Sequence, residues 1–133
     1  GATAPNVSLQ DGHGNALYLK DLRGKYLYIS VWAFSYGEMD KEVRAEWEKL
    51  AEEYKDKNIL FATFCMGPSQ WLGQVKNLPG EHYVANNTNA FYSRYMISVM
   101  PRYMLIDPEG RIVDVDAPKP SSSAKLLLRS VGL

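Results

Sequence analysis

The 133-residue sequence predicts an α/β domain, a mixed central β-sheet flanked by helices and opened by an N-terminal β-hairpin. Three observations carry this. Tyr26–Trp32 (YLYISVW) and Asn58–Cys65 (NILFATFC) are apolar runs rich in β-branched and aromatic residues, the pattern of strands buried on both faces in a parallel sheet. Between them Val43, Trp47, Leu50, Ala51 and Tyr54 recur at the spacing that lines one helical face. Strand, helix and strand in that order make a βαβ unit, whose strands run parallel. The third observation is Arg102–Ile106 followed by Asp107-Pro108-Glu109-Gly110: Pro at the second and Gly at the fourth turn position suit a type I turn, so this end of the chain returns on itself antiparallel.

The remaining elements follow from local chemistry. Val7–Leu9 and Ala16–Leu19 flank the turn-rich Asp11-Gly12-His13-Gly14-Asn15 and read as a hairpin, with His13 a solvated loop residue. At the end of the first apolar strand, Ser35-Tyr36-Gly37-Glu38 fits a capping box, Ser35 as N-cap and Glu38 at N3. Phe34 and Met39 then take the positions of a hydrophobic staple. The long helix is therefore predicted to start at Ser35, with its unsatisfied N–H groups and positive dipole end at the rim of the sheet. Gln70–Asn77 reads as a short helix with Trp71 and Val75 as its apolar contacts, ended by Pro79 and Gly80. Glu81–Val84 is a brief extended piece carrying His82 as a surface residue. Asn89–Tyr95 is a second short helix capped by Thr88, with Phe91 and Tyr95 on one face. The hairpin strand after the turn is Arg111–Val115. Ser121 or Ser122 caps a last helix ending near Ser130.

Composition excludes several classes. Fifteen basic and fifteen acidic residues give a formal net charge of zero, so nothing favours nucleic acid or an anionic membrane surface. No stretch approaches the roughly 20 apolar residues of a membrane span. A single cysteine, Cys65, rules out an intramolecular disulfide or a cysteine metal cluster, and two histidines, His13 and His82, are too scattered for a metal site. No cofactor is expected. Neither repeats nor linker-like segments divide the chain, which reads as one domain over 1–133. It begins with Gly1 and shows no signal-peptide pattern, which points to a processed or trimmed form.

Several motifs together resemble one family. The opening residues follow A-P-x-F-x-L-x-D-x-x-G-x-x-x-x-L-x-D-L-x-G-K with Val7 in place of the Phe. Ile97, Pro101, Ile106, Asp107, Gly110 and Ile112 match V-x-x-x-P-x-x-x-x-I-D-x-x-G-x-I, with Ile97 for the Val. Trp32-Ala33 end a strand where a W-A-x-W-C-x-P-C motif would continue, and Glu42 falls three residues after its second cysteine position. This is similar to the thioredoxin-like superfamily, and within it to the TlpA/ResA-like exported thiol-disulfide oxidoreductases. The resemblance implies a thioredoxin-like fold, a cis Met100–Pro101 bond facing the former redox motif, and a periplasmic or otherwise exported location. It also marks where the chain departs: the motif here is Tyr36, Gly37, Glu38 and Met39, with both cysteine positions replaced.

That replacement governs the chemistry. Dithiol exchange needs a thiolate at the helix start and a second thiol one turn on. Tyr36 has no sulfur and Met39 cannot form a disulfide, so no catalytic residue is assigned. The family's tuning carboxylate would be Glu42, which without a thiolate becomes an ordinary helix-surface group. Cys65 has two readings: a buried small hydrophobe on a core strand, or an exposed, electropositive thiol acting alone. Trp32, Phe34, Tyr36, Met39, Met100 and Pro101 would converge at one sheet edge, an apolar patch suited to an extended polypeptide or partner protein. The leading reading is thus a redox-inactive, polypeptide-binding or adaptor module. The alternative is a divergent thiol oxidoreductase or peroxidase with Cys65 as its only thiol.

Overall fold

The computed structural model describes residues 1–33 and 39–133. Its seven strands are β1 (Ser8–Asp11), β2 (Ala16–Tyr18), β3 (Tyr26–Trp32), β4 (Ile59–Cys65), β5 (Glu81–Ala85), β6 (Arg102–Ile106) and β7 (Ile112–Asp114). They form one mixed sheet in the order β2-β1-β5-β4-β3-β6-β7. The two apolar runs pair parallel over their whole length, Tyr26 opposite Ile59 through Trp32 opposite Cys65. On its other side β3 pairs antiparallel with β6, from Leu27 opposite Ile106 to Val31 opposite Arg102. The ladder stops there because the next residue, Pro101, has no N–H to offer. The Met100–Pro101 peptide is cis.

Helices cover both faces: α1 (Lys41–Glu53), α2 (Thr88–Tyr95) and α3 (Ser122–Ser130). Alternation along β3 divides the core in two. Leu27, Ile29 and Val31 join Phe64, Phe91 and Tyr95 of the α2 side. Tyr28 points the other way, into Trp47 and Leu50 of α1 and Leu128 of α3. Trp47 is fully buried, lies 5.5 Å from Phe61 ring to ring, and donates its Nε1–H to the Pro79 carbonyl at 2.7 Å. A buried indole keeps its apolar payload only when that N–H is satisfied, and here it also ties α1 to the loop before β5.

The structure corrects several sequence expectations. Met39 and Asp40 are non-helical, and α1 begins at Lys41 with Asp40 as N-cap, its carboxylate accepting from Glu42 N–H at 2.8 Å and Val43 N–H at 3.4 Å. The predicted cap at Ser35, its capping box with Glu38 and the Phe34 half of the staple lie outside the described residues. The segment expected to be helical over Gln70–Asn77 is a 3-10 helix at Ser69–Gln74, closed by i→i+3 bonds such as Val75 N–H to the Leu72 carbonyl. The cap of α2 is Asn87, whose side chain accepts from Ala90 N–H, and not Thr88.

The brief extended piece expected at Glu81–Val84 is β5, and it lies inside the sheet, antiparallel to β1 and parallel to β4. His82 is accordingly not an ordinary surface residue. Register places it opposite Thr63; its Nε2–H donates to the Leu78 carbonyl at 2.8 Å, which leaves Nδ1 to accept from the Thr63 hydroxyl at 2.7 Å. Burial pushes its pKa below the ordinary histidine value.

One turn and one helix cap match their sequence signals. Gly110 takes φ +82°, donates to the Asp107 carbonyl at 2.9 Å and has the Arg23 guanidinium where a Cβ would stand. Ser121 caps α3, its Oγ accepting from Ala124 N–H.

Candidate functional site

The C-terminal end of β3 opens onto a cleft of about 310 Å³. Its floor is Ser30, fully buried in mid-strand. One wall is the half-buried Trp32; Met39, Val43 and Arg44 approach from the start of α1. Gln74 and Val75 come from the end of the 3-10 helix, and Met100, Pro101 and Tyr103 from the entry to β6. Four residues predicted to share this edge, Trp32, Met39, Met100 and Pro101, therefore do line one cavity. Phe34, Tyr36, Gly37 and Glu38 lie outside the described residues.

The cleft exists because two neighbours stop short. Beyond the Val31–Arg102 pair β6 no longer covers β3, and α1 starts only at Lys41. Apolar groups dominate its walls, while Asp40, Lys41 and Arg44 stand at its rim. The Asp40 carboxylate is committed to α1's free N–H groups. The Arg44 guanidinium reaches across to the Gln74 carbonyl at 3.5 Å. Two polar atoms of the lining, Ser30 Oγ and Trp32 Nε1, are buried with no hydrogen-bond partner among the described residues. Ser30 lies close enough to Tyr103 to pull that phenol's pKa down, against the larger upward push of burial, but without hydrogen-bond geometry.

The other two sequence candidates stay out of the cleft. Cys65 sits beside Trp32 in the β3–β4 register yet is fully buried, and burial pushes its thiol up to about 11. Glu42 is exposed on the first turn of α1 and faces a separate, polar depression between α1 and α3, with Glu46, Lys49 and Lys125. No cluster of His, Cys, Asp or Glu among the described residues could hold a metal ion. Sequence reasoning missed Ser30, Val43, Arg44, Val75 and Tyr103 as lining groups. Ser30 alone carried a signal, as the one small polar residue inside an otherwise apolar or aromatic strand.

Comparison with known proteins decides the family. The Redoxin family model matches residues 1–127. The chain belongs to the Redoxin family. This Redoxin is 27% identical over 123 residues to the thiol-disulfide oxidoreductase ResA of Bacillus subtilis, covering 86% of the chain but 65% of the relative. Against ResA of Bacillus cereus the identity is 24% over 119 residues, with 86% and 67% covered. The chain thus spans about two thirds of the length of these relatives. A solved structure from Bacteroides vulgatus, described as a candidate thiol-disulfide oxidoreductase, superposes with a TM-score of 0.80 at 28% identity, covering 98% of this chain and 94% of its own. A thiol-disulfide oxidoreductase from Bacteroides fragilis gives 0.81 at 23% identity over 97% and 98%, which speaks to the fold alone. The thioredoxin-like fold and the ResA-type kinship are established, and this Redoxin carries one cysteine. Among the described residues no helix is long and apolar enough to cross a membrane.

Proposed function

We propose that this Redoxin is redox-inactive and serves as a binding or adaptor module that holds an extended polypeptide at the edge where its relatives would carry their cysteine pair. The observation that carries the reading is chemical. The two motif positions are Tyr36 and Met39, and the chain's one thiol, Cys65, is sealed in the core. Thiol–disulfide exchange runs through a thiolate attacking a disulfide sulfur, and a thiol whose pKa stands at about 11 and which touches no solvent supplies none at neutral pH. Against the alternative, a peroxidase or oxidoreductase using Cys65 alone, stand the same two facts.

Support for binding comes from the cleft, where Trp32, Met39 and Met100 present adaptable apolar surface beside the end of the β3–β6 ladder. Strand addition at such an edge combines main-chain pairing with pockets for alternate side chains. An exported location, implied by the resemblance, belongs to this proposal too. Two measurements test it. Insulin reduction by dithiothreitol should run no faster with the protein than in buffer. A pool of unstructured polypeptides should shift NMR resonances of residues 32, 39 and 100–103. Clear catalysis would remove the redox-inactive half; shifts confined to other surfaces would remove the binding half.

A further inference from the structure

We infer that the cleft at the end of β3 is also a small-molecule site, for a monocarboxylate with a compact apolar body, aromatic or branched aliphatic. Size comes first. A volume of about 310 Å³ lies at the small end of ligand pockets and gives room for about ten water-sized groups. That suits a single ring or a short branched chain. The walls offered to such a body are apolar: Val43, Val75, Met100 and the Tyr103 ring.

Polarity then selects the head group. Trp32 Nε1–H is a donor only, it is buried, and it has no partner among the described residues. Ser30 Oγ, fully buried on the floor, shares that state. Unmade hydrogen bonds of this kind carry the desolvation cost of the group, and an acceptor oxygen seated in the cleft removes it. Both atoms are closed to water, so the Trp32 indole has to turn slightly toward the cleft for the bond to form. Charge narrows the acceptor further. Lys41 and Arg44 stand at the rim, while the Asp40 carboxylate is engaged by α1's first N–H groups, where the helix dipole favours negative charge. A carboxylate is therefore preferred over a neutral carbonyl of the same shape. The polypeptide reading is not a premise of this site; either can fail alone.

The test is an NMR titration of the intact chain with phenylacetate, beside acetate and phenylacetamide. Phenylacetate should give saturable shifts at Ser30, Trp32, Val43 and Val75. The Trp32 indole N–H should move downfield while that of Trp47, already bonded to Pro79, stays in place. Acetate should not saturate, and phenylacetamide should bind several-fold more weakly. Trp32→Phe, which keeps the ring body and deletes the donor, should weaken phenylacetate roughly tenfold, the loss expected of a hydrogen bond to a charged group. Arg44→Gln, on the partly exposed helix face, should weaken phenylacetate and leave phenylacetamide unchanged. Absence of saturable shifts in the cleft, equal binding of acetate, or equal phenylacetate affinity in folded Trp32→Phe would each overturn the assignment. Should Trp32→Phe fail to fold, an Arg44→Gln protein that binds both phenyl compounds as the wild type does would overturn it as well.

Discussion

Cys65 offers the sharpest quantitative test, because its environment sets its reactivity through two separate factors. The perturbation is a thiol reagent such as Ellman's disulfide added to the native protein. The first factor is protonation. With its pKa pushed to about 11, about one thiol in ten thousand is ionised at pH 7, against about one in thirty for an ordinary cysteine near ~8.5. The second is access. Cys65 is fully buried at the end of β4, a strand paired on both sides, with β3 and β5, so a reagent must wait for that part of the sheet to open. Opening of core strands approaches the global unfolding free energy, and even a stability near ~5 kcal/mol leaves about one molecule in several thousand open. Native labelling should therefore run at least about a thousandfold slower than labelling in urea, and track unfolding when urea is raised. Labelling within about a factor of ten of the denatured rate would refute the argument and revive Cys65 as a working nucleophile. The same shift has a thermodynamic sign. The folded thiol keeps its proton up to about 11 while the unfolded one loses it near ~8.5. Stability present below ~8.5 is thus lost as pH rises through that window, by about 3 kcal/mol at most.

Other expectations are simpler to state. Asp40→Ala removes the acceptor of two N–H groups at the start of α1 and should cost about 1 kcal/mol, read as a lower urea midpoint at unchanged slope. Thr63→Val leaves His82 Nδ1 without its donor inside the sheet and should cost about 1–3 kcal/mol; a neutral result would mean that the pair contributes nothing. Burial lowers the folded-state pKa of His82, so the unfolded chain takes up its proton first. Stability should then fall as pH drops below about 6.5, a loss that urea titrations of His82→Asn should show to be smaller.

How much of this was legible depends on how local each cause was. The β3–α1–β4 unit was, since its apolar runs and helical stripe each announce their own period. So were the Gly110 turn and a serine cap on α3, where one side chain or one φ angle decides, although the choice of Ser121 over Ser122 came from the structure. His82 was not: Glu-His-Tyr-Val has the look of a surface strand, and its ring is enclosed by Thr63 of the neighbouring strand β4 and the Leu78 carbonyl, contacts that no local pattern announces. The start of α1 was read at Ser35 from its capping-box pattern, whereas Asp40 is the N-cap; aspartate and serine are about equally favoured at that position, so residue type does not separate them. Of the cleft, Trp32, Met39, Met100 and Pro101 could be foreseen from motif positions. Arg44, Val75 and Tyr103 could not, for they enter by the packing of three elements distant in sequence.

The position of β3 has a kinetic consequence. Its parallel partner β4 follows directly after α1, but its antiparallel partner β6 is synthesised only in the last third of the chain, so that Ile29 pairs with Ala62 on one side and Met104 on the other. Closing the second contact spans a far longer loop, and such non-local pairings slow folding. The βαβ half can consolidate first, while the cleft acquires Met100, Pro101 and Tyr103 only when β6 docks. A nascent or truncated chain lacking residues beyond 98 would expose Ser30 and Trp32 on an unpaired strand edge, the kind of surface that recruits other strands. Completion of the site and protection of the central strand from aggregation are, in this fold, one event.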